Sequence, residues 1–295
     1  MVYGQSDNAE LNRDLAPTGK GIGTIYNPGQ GGDHFAGPPK GGSSSNGISY
    51  HGGPVMLNTT NIYYIWYGDW SGNTATTILT DLANGISGSP YFNINTTYYN
   101  GSNTHVSNSV SYKAGLFVAS GDPLYMGTSL TDANIQSIVS GAITSGRLSK
   151  DTNAVYFLLT SADVTASSGF CTQYCGWHTH GTVSGSDIKY AFIGNPDRCP
   201  SACAEQSSSS PNSNVGADGM ASIIAHELEE AVTDPDLNAW YDHRGYENAD
   251  KCAWTFGTEY TVSNGSLANV KLGNRDFLIQ RNWVNASGGY CSMSF

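Results

Sequence analysis

Hydrophobic and polar positions along this chain form blocks that predict both strands and helices. Four short runs, rich in β-branched and aromatic residues, are typical of strands, and the third, which is largely apolar, is predicted to lie at the centre of a sheet. These runs cover residues 61–67, 110–118, 153–159 and 188–193. The last of them stands inside a section after residue 159 that is otherwise predicted to be loop. Leu278, Ile279 and Trp283 are assigned to a closing strand region.

Three stretches have the spacing of helices. Apolar residues three and four positions apart predict amphipathic helices over 76–86 and 131–145, and Gly146 ends the second. A third helix is predicted to begin near Asp218, a good N-cap, and to end before Pro235, which cannot continue a helix. Because strands and helices alternate, we expect an α+β (α/β-like) fold in which helices flank a mixed β-sheet.

The first 49 residues have a different composition from the rest. They are rich in Gly, Pro, Ser and Asn and contain few large apolar residues. We therefore expect an extended arm or pro-segment at 1–49 and a single globular domain at 50–295. The arm is a candidate surface for self-association.

Charge excludes two classes of partner. Only 13% of the residues are charged, and the formal net charge is −11. An acidic surface does not attract phosphate backbones or anionic lipid, so we expect neither nucleic acid nor a membrane surface as a partner. Because 39% of the residues are hydrophobic, the chain is not of the disordered class.

Six cysteines indicate an exported protein with three disulfides. The close pairs Cys171/Cys175 and Cys199/Cys203 are followed by two more, at 252 and 291. Six cysteines allow about 15 connectivities, which the sequence leaves open. The alternatives, a four-cysteine zinc site or free thiols, are disfavoured because the spacing is C-x3-C and not C-x2-C and the composition is that of an exported protein. No signal peptide is visible at Met1. Either it was removed or the chain is not exported, and we expect removal. Five N-x-[ST] sequons fit a secreted glycoprotein.

The chemistry is concentrated in the third helix. Three of the seven glutamates of the chain fall in the run His226-Glu227-Leu228-Glu229-Glu230. Residues four apart share a helix face, so His226 and Glu230 lie side by side. This is the H-E-x-x-H geometry of zinc hydrolases with Glu in place of the second His. We expect His226 and Glu230 to bind a metal and Glu227 to act as general base on its water.

A further ligand must come from elsewhere in the chain. Glu247 follows Glu230 by seventeen residues, which suits a loop and a second helix that returns a carboxylate to the site, and Asp250 lies one turn further on. Asp236, ten residues after His226, is a rival. The order of preference is Glu247, Asp250, Asp236, and the alternative is that the glutamates simply face water.

His178 and the identity of the metal are open at this point. His178 follows a close cysteine pair and either stabilises an oxyanion, binds the metal, or is structural. If the segment is extended, His178 and His180 point to the same side. Zn²⁺ is the first expectation, with Ca²⁺ or Mn²⁺ as alternatives because carboxylate-rich ligation suits harder ions.

Several motifs together resemble the phosphate-induced protein / EXORDIUM family, over roughly residues 50 to 295. They are Tyr50-His51-Gly52-Gly53-Pro54-Val55, Tyr64 to Ser71, Phe170 to His178, Cys199 to Ala204, the His226 to Glu230 run leading to Asn238-Ala239-Trp240-Tyr241, Glu247 to Cys252, and Cys291. The resemblance implies an extracellular, cell-wall-associated protein, here closest to microbial members. It supports the helix residues, Glu247 and Asp250 as site positions and His178 as an addition.

Two main functions follow as hypotheses, and a third is a calcium-stabilised fold that contains no zinc. The first is a secreted metal-dependent hydrolase, metallopeptidase-like in fold and most readily a zinc peptidase, acting on a peptide, a protein or a cell-wall polysaccharide. The second is a non-catalytic extracellular binding or self-assembling protein in which a metal is a structural staple. A closed coordination sphere without a cleft favours the second.

Overall fold

A computed structural model describes residues 47–295 of the chain. The predicted arm at 1–49 lies outside this range apart from its last residues, 47–49. The described α-helices are α1 (Ala75–Gly85), α2 (Asp132–Thr144), α3 (Pro200–Cys203) and α4 (Val215–Thr233), and short 3-10 helices cover Phe92–Thr97, Pro196–Arg198 and Asp250–Cys252. None of the helices within the described range has the length and hydropathy needed to cross a bilayer.

Strands occupy the rest of the ordered framework. They are β1 (Ser49–Tyr50), β2 (Thr60–Tyr67), β3 (Val110–Val118), β4 (Ser129–Leu130), β5 (Ala154–Thr160), β6 (Thr165–Ala166), β7 (Gly176–Val183), β8 (Ser186–Ile193), β9 (Trp240–Tyr241), β10 (Tyr260–Thr261), β11 (Leu267–Ala268), β12 (Val270–Leu272), β13 (Arg275–Phe277), β14 (Asn282–Val284) and β15 (Tyr290–Ser292).

A five-stranded mixed sheet forms the core, in the order β3-β2-β5-β8-β7. The first four strands are parallel, and β7 runs antiparallel to β8. Every residue of β5 is buried, as expected for a central strand covered on both faces. The predicted strands at 61–67, 110–118, 153–159 and 188–193 are thereby confirmed.

Helices cover both faces of this sheet. Successive residues of β7 point to opposite faces, so Gly176 and Gly181, five positions apart, show what packs on each face. A Cβ added at Gly176 would meet Ile223 of α4, whereas one added at Gly181 would meet Gln136 of α2. Helix α4 therefore lies on one face and α2 on the other. The α+β class with a mixed sheet flanked by helices is confirmed, and the metallopeptidase-like form of the fold is not.

Helix ends differ from the predictions in one place. Helix α2 begins after Thr131, whose side chain accepts a hydrogen bond from the Asn134 amide, and it ends at Thr144, two residues before Gly146, which has φ +75°. Helix α4 is capped by Asn214 and not by Asp218. The carboxylate of Asp218 instead accepts hydrogen bonds from Asn212, in the loop before the helix.

Two segments were assigned wrongly from the sequence. Strand β7 was predicted as loop because glycine, threonine and histidine dilute its apolar pattern, yet it pairs along its whole length with β8. Near the C-terminus the strand is β14, which includes Trp283, while Leu278 and Ile279 precede it as buried, non-strand residues.

Three disulfides brace the loops around the sheet. They join Cys171 to Cys199, Cys175 to Cys203 and Cys252 to Cys291. The two close cysteine pairs are thus joined to each other in parallel, which ties the segment before β7 to α3. Sequence separations of 28, 28 and 39 residues correspond to about 3–4 kcal/mol each if the effect is mainly on unfolded-chain entropy.

The close packing of α4 on β7 depends on Gly176. A Cβ there would lie 2.6 Å from Ile223 Cγ2 and 2.8 Å from the Phe192 carbonyl oxygen. We predict that Gly176→Ala lowers the free energy of unfolding by about 1–3 kcal/mol, measured by urea denaturation. Gly101→Ala is the control, because its Cβ would find its nearest neighbour at 3.6 Å. Equal stability of the two variants would contradict this account of the helix–sheet contact.

Candidate metal centre

Helix α4 carries the first part of the site. His226 and Glu230 stand one helical turn apart, and His226 Nε2 lies 3.0 Å from Glu230 Oε1. Glu227 points toward β7, because a Cβ at Gly176 would come within 3.2 Å of its Oε1. All three side chains are buried. The alternative in which these glutamates face water is therefore wrong.

Strand β7 supplies the second part. His178 is on the side of the strand that faces α4, the same side as Gly176 two residues earlier. Its Nε2 lies 3.2 Å from Glu247 Oε2 and 3.7 Å from Glu230 Oε2. Pairing of β7 with β8, in a section predicted as loop, thus places a histidine against the helix motif.

The third part comes from the segment at Glu247 and the 3-10 helix that begins at Asp250. Asp250 Oδ1 lies 3.5 Å from His226 Nε2, and the Asp250 amide donates to Glu230 Oε1 at 3.1 Å. The Glu247 amide donates to Asp250 Oδ2 at 3.3 Å. The Cys252–Cys291 disulfide anchors this segment immediately after Asp250. Glu247 thereby lies beside His178, and Asp250 lies beside His226 and Glu230.

These six side chains make up what we call the acid–histidine cluster: His178, His226, Glu227, Glu230, Glu247 and Asp250. None is more than 9% exposed. The four predicted metal ligands and the two residues with predicted catalytic roles, Glu227 and His178, therefore lie together. Their roles stay predictions.

Gln280 is a member of the site that sequence reasoning missed. Its side-chain amide hydrogen-bonds His226 Nδ1 and holds the ring with Nε2 toward Glu230. Outer contacts of this kind orient imidazoles that bind metals. A lone glutamine 54 residues after the histidine carries no signal by which the sequence alone would reveal it.

Other predicted or neighbouring residues lie apart from the cluster. Asp236 Oδ1 is 3.1 Å from Lys189 Nζ, and His180 Nδ1 is 2.7 Å from Asp187 Oδ1, both at the surface. The rival ligand Asp236 is therefore engaged elsewhere. Glu229 faces away from the cluster and receives a hydrogen bond from Asn95.

Burial controls the proton affinity of the cluster. It raises the pKa of Asp250 to about 7, assisted by the negative charge of Glu230, and raises the pKa of Glu247 well above its ordinary value. Burial alone lowers the pKa of His226. The negative charge of Glu230 and the hydrogen bonds to Glu230 and Asp250 raise it by more, so the pKa of His226 lies well above its usual range. In the absence of a cation, the cluster therefore retains protons near neutral pH.

The donor atoms fit a divalent cation. Ligand bonds of about 2.0–2.2 Å in tetrahedral geometry separate neighbouring donors by roughly 3.3–3.6 Å, and the imidazole–carboxylate distances here are 3.0–3.7 Å. Glu247 Oε1 is buried without a hydrogen-bond partner among the described residues, and His226 Nε2 and Asp250 Oδ1 make no contact there beyond the ion pairs of the cluster. The ion pairs of Glu230, Glu247 and Asp250 within 47–295 all involve histidines. A bound cation would satisfy these atoms.

Access to the cluster is restricted. A small surface pocket between α4, Trp254 and Gln280 reaches His226. Its lining includes His226 but not Glu227, Glu230, Glu247 or Asp250. A peptide in this pocket would meet the Gln280 side of the imidazole and not the carboxylates, which is unsuited to attack by a metal-bound water.

Comparison with known proteins gives a consistent set of matches. The protein-family model of the phosphate-induced protein 1 conserved region matches residues 48–277 of this chain. EXORDIUM-like 3 of Arabidopsis thaliana is 32% identical, over 86% of this chain and 85% of its own length. EXORDIUM-like 5 of the same plant is 34% identical, over 83% and 77%. PHOSPHATE-INDUCED 1 of Nicotiana tabacum is 27% identical, over 66% and 67%.

These matches correct two expectations. The predicted metallohydrolase is wrong, because the similar proteins are EXORDIUM-like and phosphate-induced proteins and none is named as a peptidase or other hydrolase. The catalytic roles assigned to Glu227 and His178 lose their basis with it. The microbial-type assignment is also unsupported, since these relatives are plant proteins.

We predict that the chelator-treated protein becomes less stable as pH rises. The pKa values of Asp250, Glu247 and His226 are all raised in the folded state, so the folded protein binds more protons than the unfolded chain. For Asp250 the stabilisation is full below its unfolded pKa of about 3.9 and is lost as pH passes about 7. The difference between the folded and unfolded pKa values of Asp250 corresponds to about 4 kcal/mol of stability.

The measurement is the urea midpoint of chelator-treated protein at pH 5 and pH 8. Asp250→Asn, which mimics the protonated acid, is expected to flatten the dependence, whereas the fully exposed Asp69→Asn leaves it unchanged. A midpoint that rises from pH 5 to pH 8 in the chelated wild type would contradict the predicted sign.

Proposed function

The chain belongs to the phosphate-induced protein 1 / EXORDIUM family, and we propose that it is an exported, non-catalytic binding protein whose core is stapled by a divalent cation. The observation that carries this proposal is the burial of the acid–histidine cluster. A catalytic metal needs an open coordination position and a route for substrate, whereas these six side chains are at most 9% exposed. A closed site of this kind stabilises the fold.

The staple joins three parts of the chain. Helix α4 contributes His226, Glu227 and Glu230, strand β7 contributes His178, and the segment after β9 contributes Glu247, with Asp250 beside His226. One ion bound among them would hold the helix to the sheet edge and to the C-terminal region. Because an imidazole takes part, Zn²⁺ is favoured, with Mn²⁺ next and Ca²⁺ last, since Ca²⁺ prefers oxygen ligands alone.

Export is part of the same proposal. Three disulfides bond all six cysteines, which is typical of oxidising compartments. Several aromatic side chains remain exposed on the described surface, namely Phe117, Tyr260, Tyr290 and Phe295. Aromatic faces of this kind stack on sugar rings or on another chain. We therefore propose a cell-wall polysaccharide as the partner, with a peptide or protein as the alternative.

Metal removal tests the staple. Protein purified without added metal is expected to contain a divalent ion by elemental analysis, and chelation is expected to lower its stability. For an ion present at a thousand times its dissociation constant the loss is about 4 kcal/mol, read from urea denaturation at constant pH. The control is His180→Ala, on β7 two residues from His178. This variant is expected to contain the ion and to lose as much stability on chelation as the wild type. Unchanged stability after complete removal of the metal would refute the staple.

Affinity gel electrophoresis tests the partner. Migration is expected to slow in gels that contain a neutral cell-wall polysaccharide, because exposed aromatic rings bind sugars. Tyr260→Ala combined with Tyr290→Ala should restore most of the mobility, while mobility in plain gels stays the same. Equal retardation of the variant and the wild type would exclude these side chains as the contact.

A further inference from the structure

Glu230 is shared by two separate groups of donor atoms. One consists of His178, Glu230 and Glu247, and the other of His226, Glu227 and Glu230. In each group the donor atoms lie within 4.8 Å of one another, and Glu230 is the one residue common to both. The cluster therefore has two potential cation positions.

The two oxygens of Glu230 face different histidines. Oε1 lies 3.0 Å from His226 Nε2, and Oε2 lies 3.7 Å from His178 Nε2. Each distance is close to the roughly 3.3 Å expected between two donors on one tetrahedral ion. A carboxylate that presents one oxygen to each of two ions is a bridging ligand, and paired ions in proteins lie about 3.5–4 Å apart.

Each side of the bridge has its own additional carboxylate. Glu247 Oε2 lies 3.2 Å from His178, and Asp250 Oδ1 lies 3.5 Å from His226. On the His178 side, Glu247 Oε1 is buried without a hydrogen-bond partner among residues 47–295, and on the His226 side Asp250 Oδ1 has only its 3.5 Å contact with the imidazole. An ion bound on the His226 side alone would leave Glu247 Oε1 buried and unsatisfied.

Charge leads to the same stoichiometry. The cluster contains four carboxyl groups, those of Glu227, Glu230, Glu247 and Asp250, around two imidazoles. If metal binding ionises all four, one divalent ion leaves two negative charges in a region removed from water, whereas two ions balance them. Buried charges are tolerated when they are paired or bound to metal.

From this geometry we propose that the acid–histidine cluster is a dinuclear site, in which Glu230 bridges one divalent cation held by His178 and Glu247 and a second held by His226, Glu227 and Asp250. The proposal rests on the structural-cation function above and extends it. Each ion has one imidazole and several carboxylates, a donor set suited to Zn²⁺ or Mn²⁺.

A third group on the surface offers a comparison. His180, Asp187 and Asp236 also lie within 4.8 Å of one another, but they are partly exposed. Lys189 Nζ is bound to Asp187 and lies 3.1 Å from Asp236, so an ammonium group already offsets part of the negative charge of these acids. We therefore expect no cation in this group, and His180 serves as the matched control for His178.

Metal content of the dialysed full-length chain, measured by mass spectrometry against amino-acid analysis, is the first test. Two ions per chain are expected. One ion would overturn the dinuclear site but leave the structural-cation function intact, and none would overturn both. His178→Ala and His226→Ala are each expected to retain about one ion, whereas His180→Ala retains two. Retention of two ions by both cluster variants would place the second ion elsewhere and overturn the proposal.

Electron paramagnetic resonance of the wild type reconstituted with Mn²⁺ provides a test that needs no variant. A carboxylate bridge couples the two ions magnetically, so we expect the six-line signal of isolated Mn²⁺ to be replaced by the broad spectrum of a coupled pair once two equivalents are bound. If two bound equivalents give the full six-line intensity of uncoupled Mn²⁺, the Glu230 bridge is ruled out. This outcome does not depend on whether the variants fold.

Discussion

The central constraint on this structure is the burial of carboxylates around two histidines. Glu227, Glu230, Glu247 and Asp250 are removed from water at the contact between α4, the sheet edge and the C-terminal segment. An ionised carboxylate is costly to bury unless positive charge or hydrogen bonds compensate it. The raised pKa values of Glu247 and Asp250 express that cost. Protons, histidines or cations must neutralise the acids, and the fold is arranged around that requirement.

The same requirement explains the scaffold around the cluster. Gly176 on β7 lets α4 approach closely enough for Glu227 and His178 to share one interior. The disulfides at Cys175 and Cys252 fix the two segments that carry His178 and Asp250. Gln280 fixes the His226 ring. Rigid supports of this kind keep ligand atoms close to the geometry an ion requires.

A helix motif shared with zinc hydrolases therefore does not by itself establish hydrolysis. The i, i+4 spacing of His226 and Glu230 reproduces half of a metal site, since it depends only on helix geometry. Catalysis also needs an open position and access for substrate. In this protein the carboxylates are enclosed, and the similar proteins are EXORDIUM-like and phosphate-induced proteins. Function depends on the surroundings of the motif as well as on the motif.

The sequence by itself determined the elements with strong periodicity, α1, α2, β2 and β5, and the common face of His226 and Glu230. Those features depend on neighbours in the chain, where helix and strand geometry fix the spacing. Only the tertiary structure decided that Glu247 and not Asp236 lies at the site, that His178 faces α4, that Gln280 orients His226, and how the cysteines pair. Each of these depends on contacts between residues far apart in the chain, which arise when β7 pairs with β8 and α4 packs on the sheet, and no local pattern encodes them.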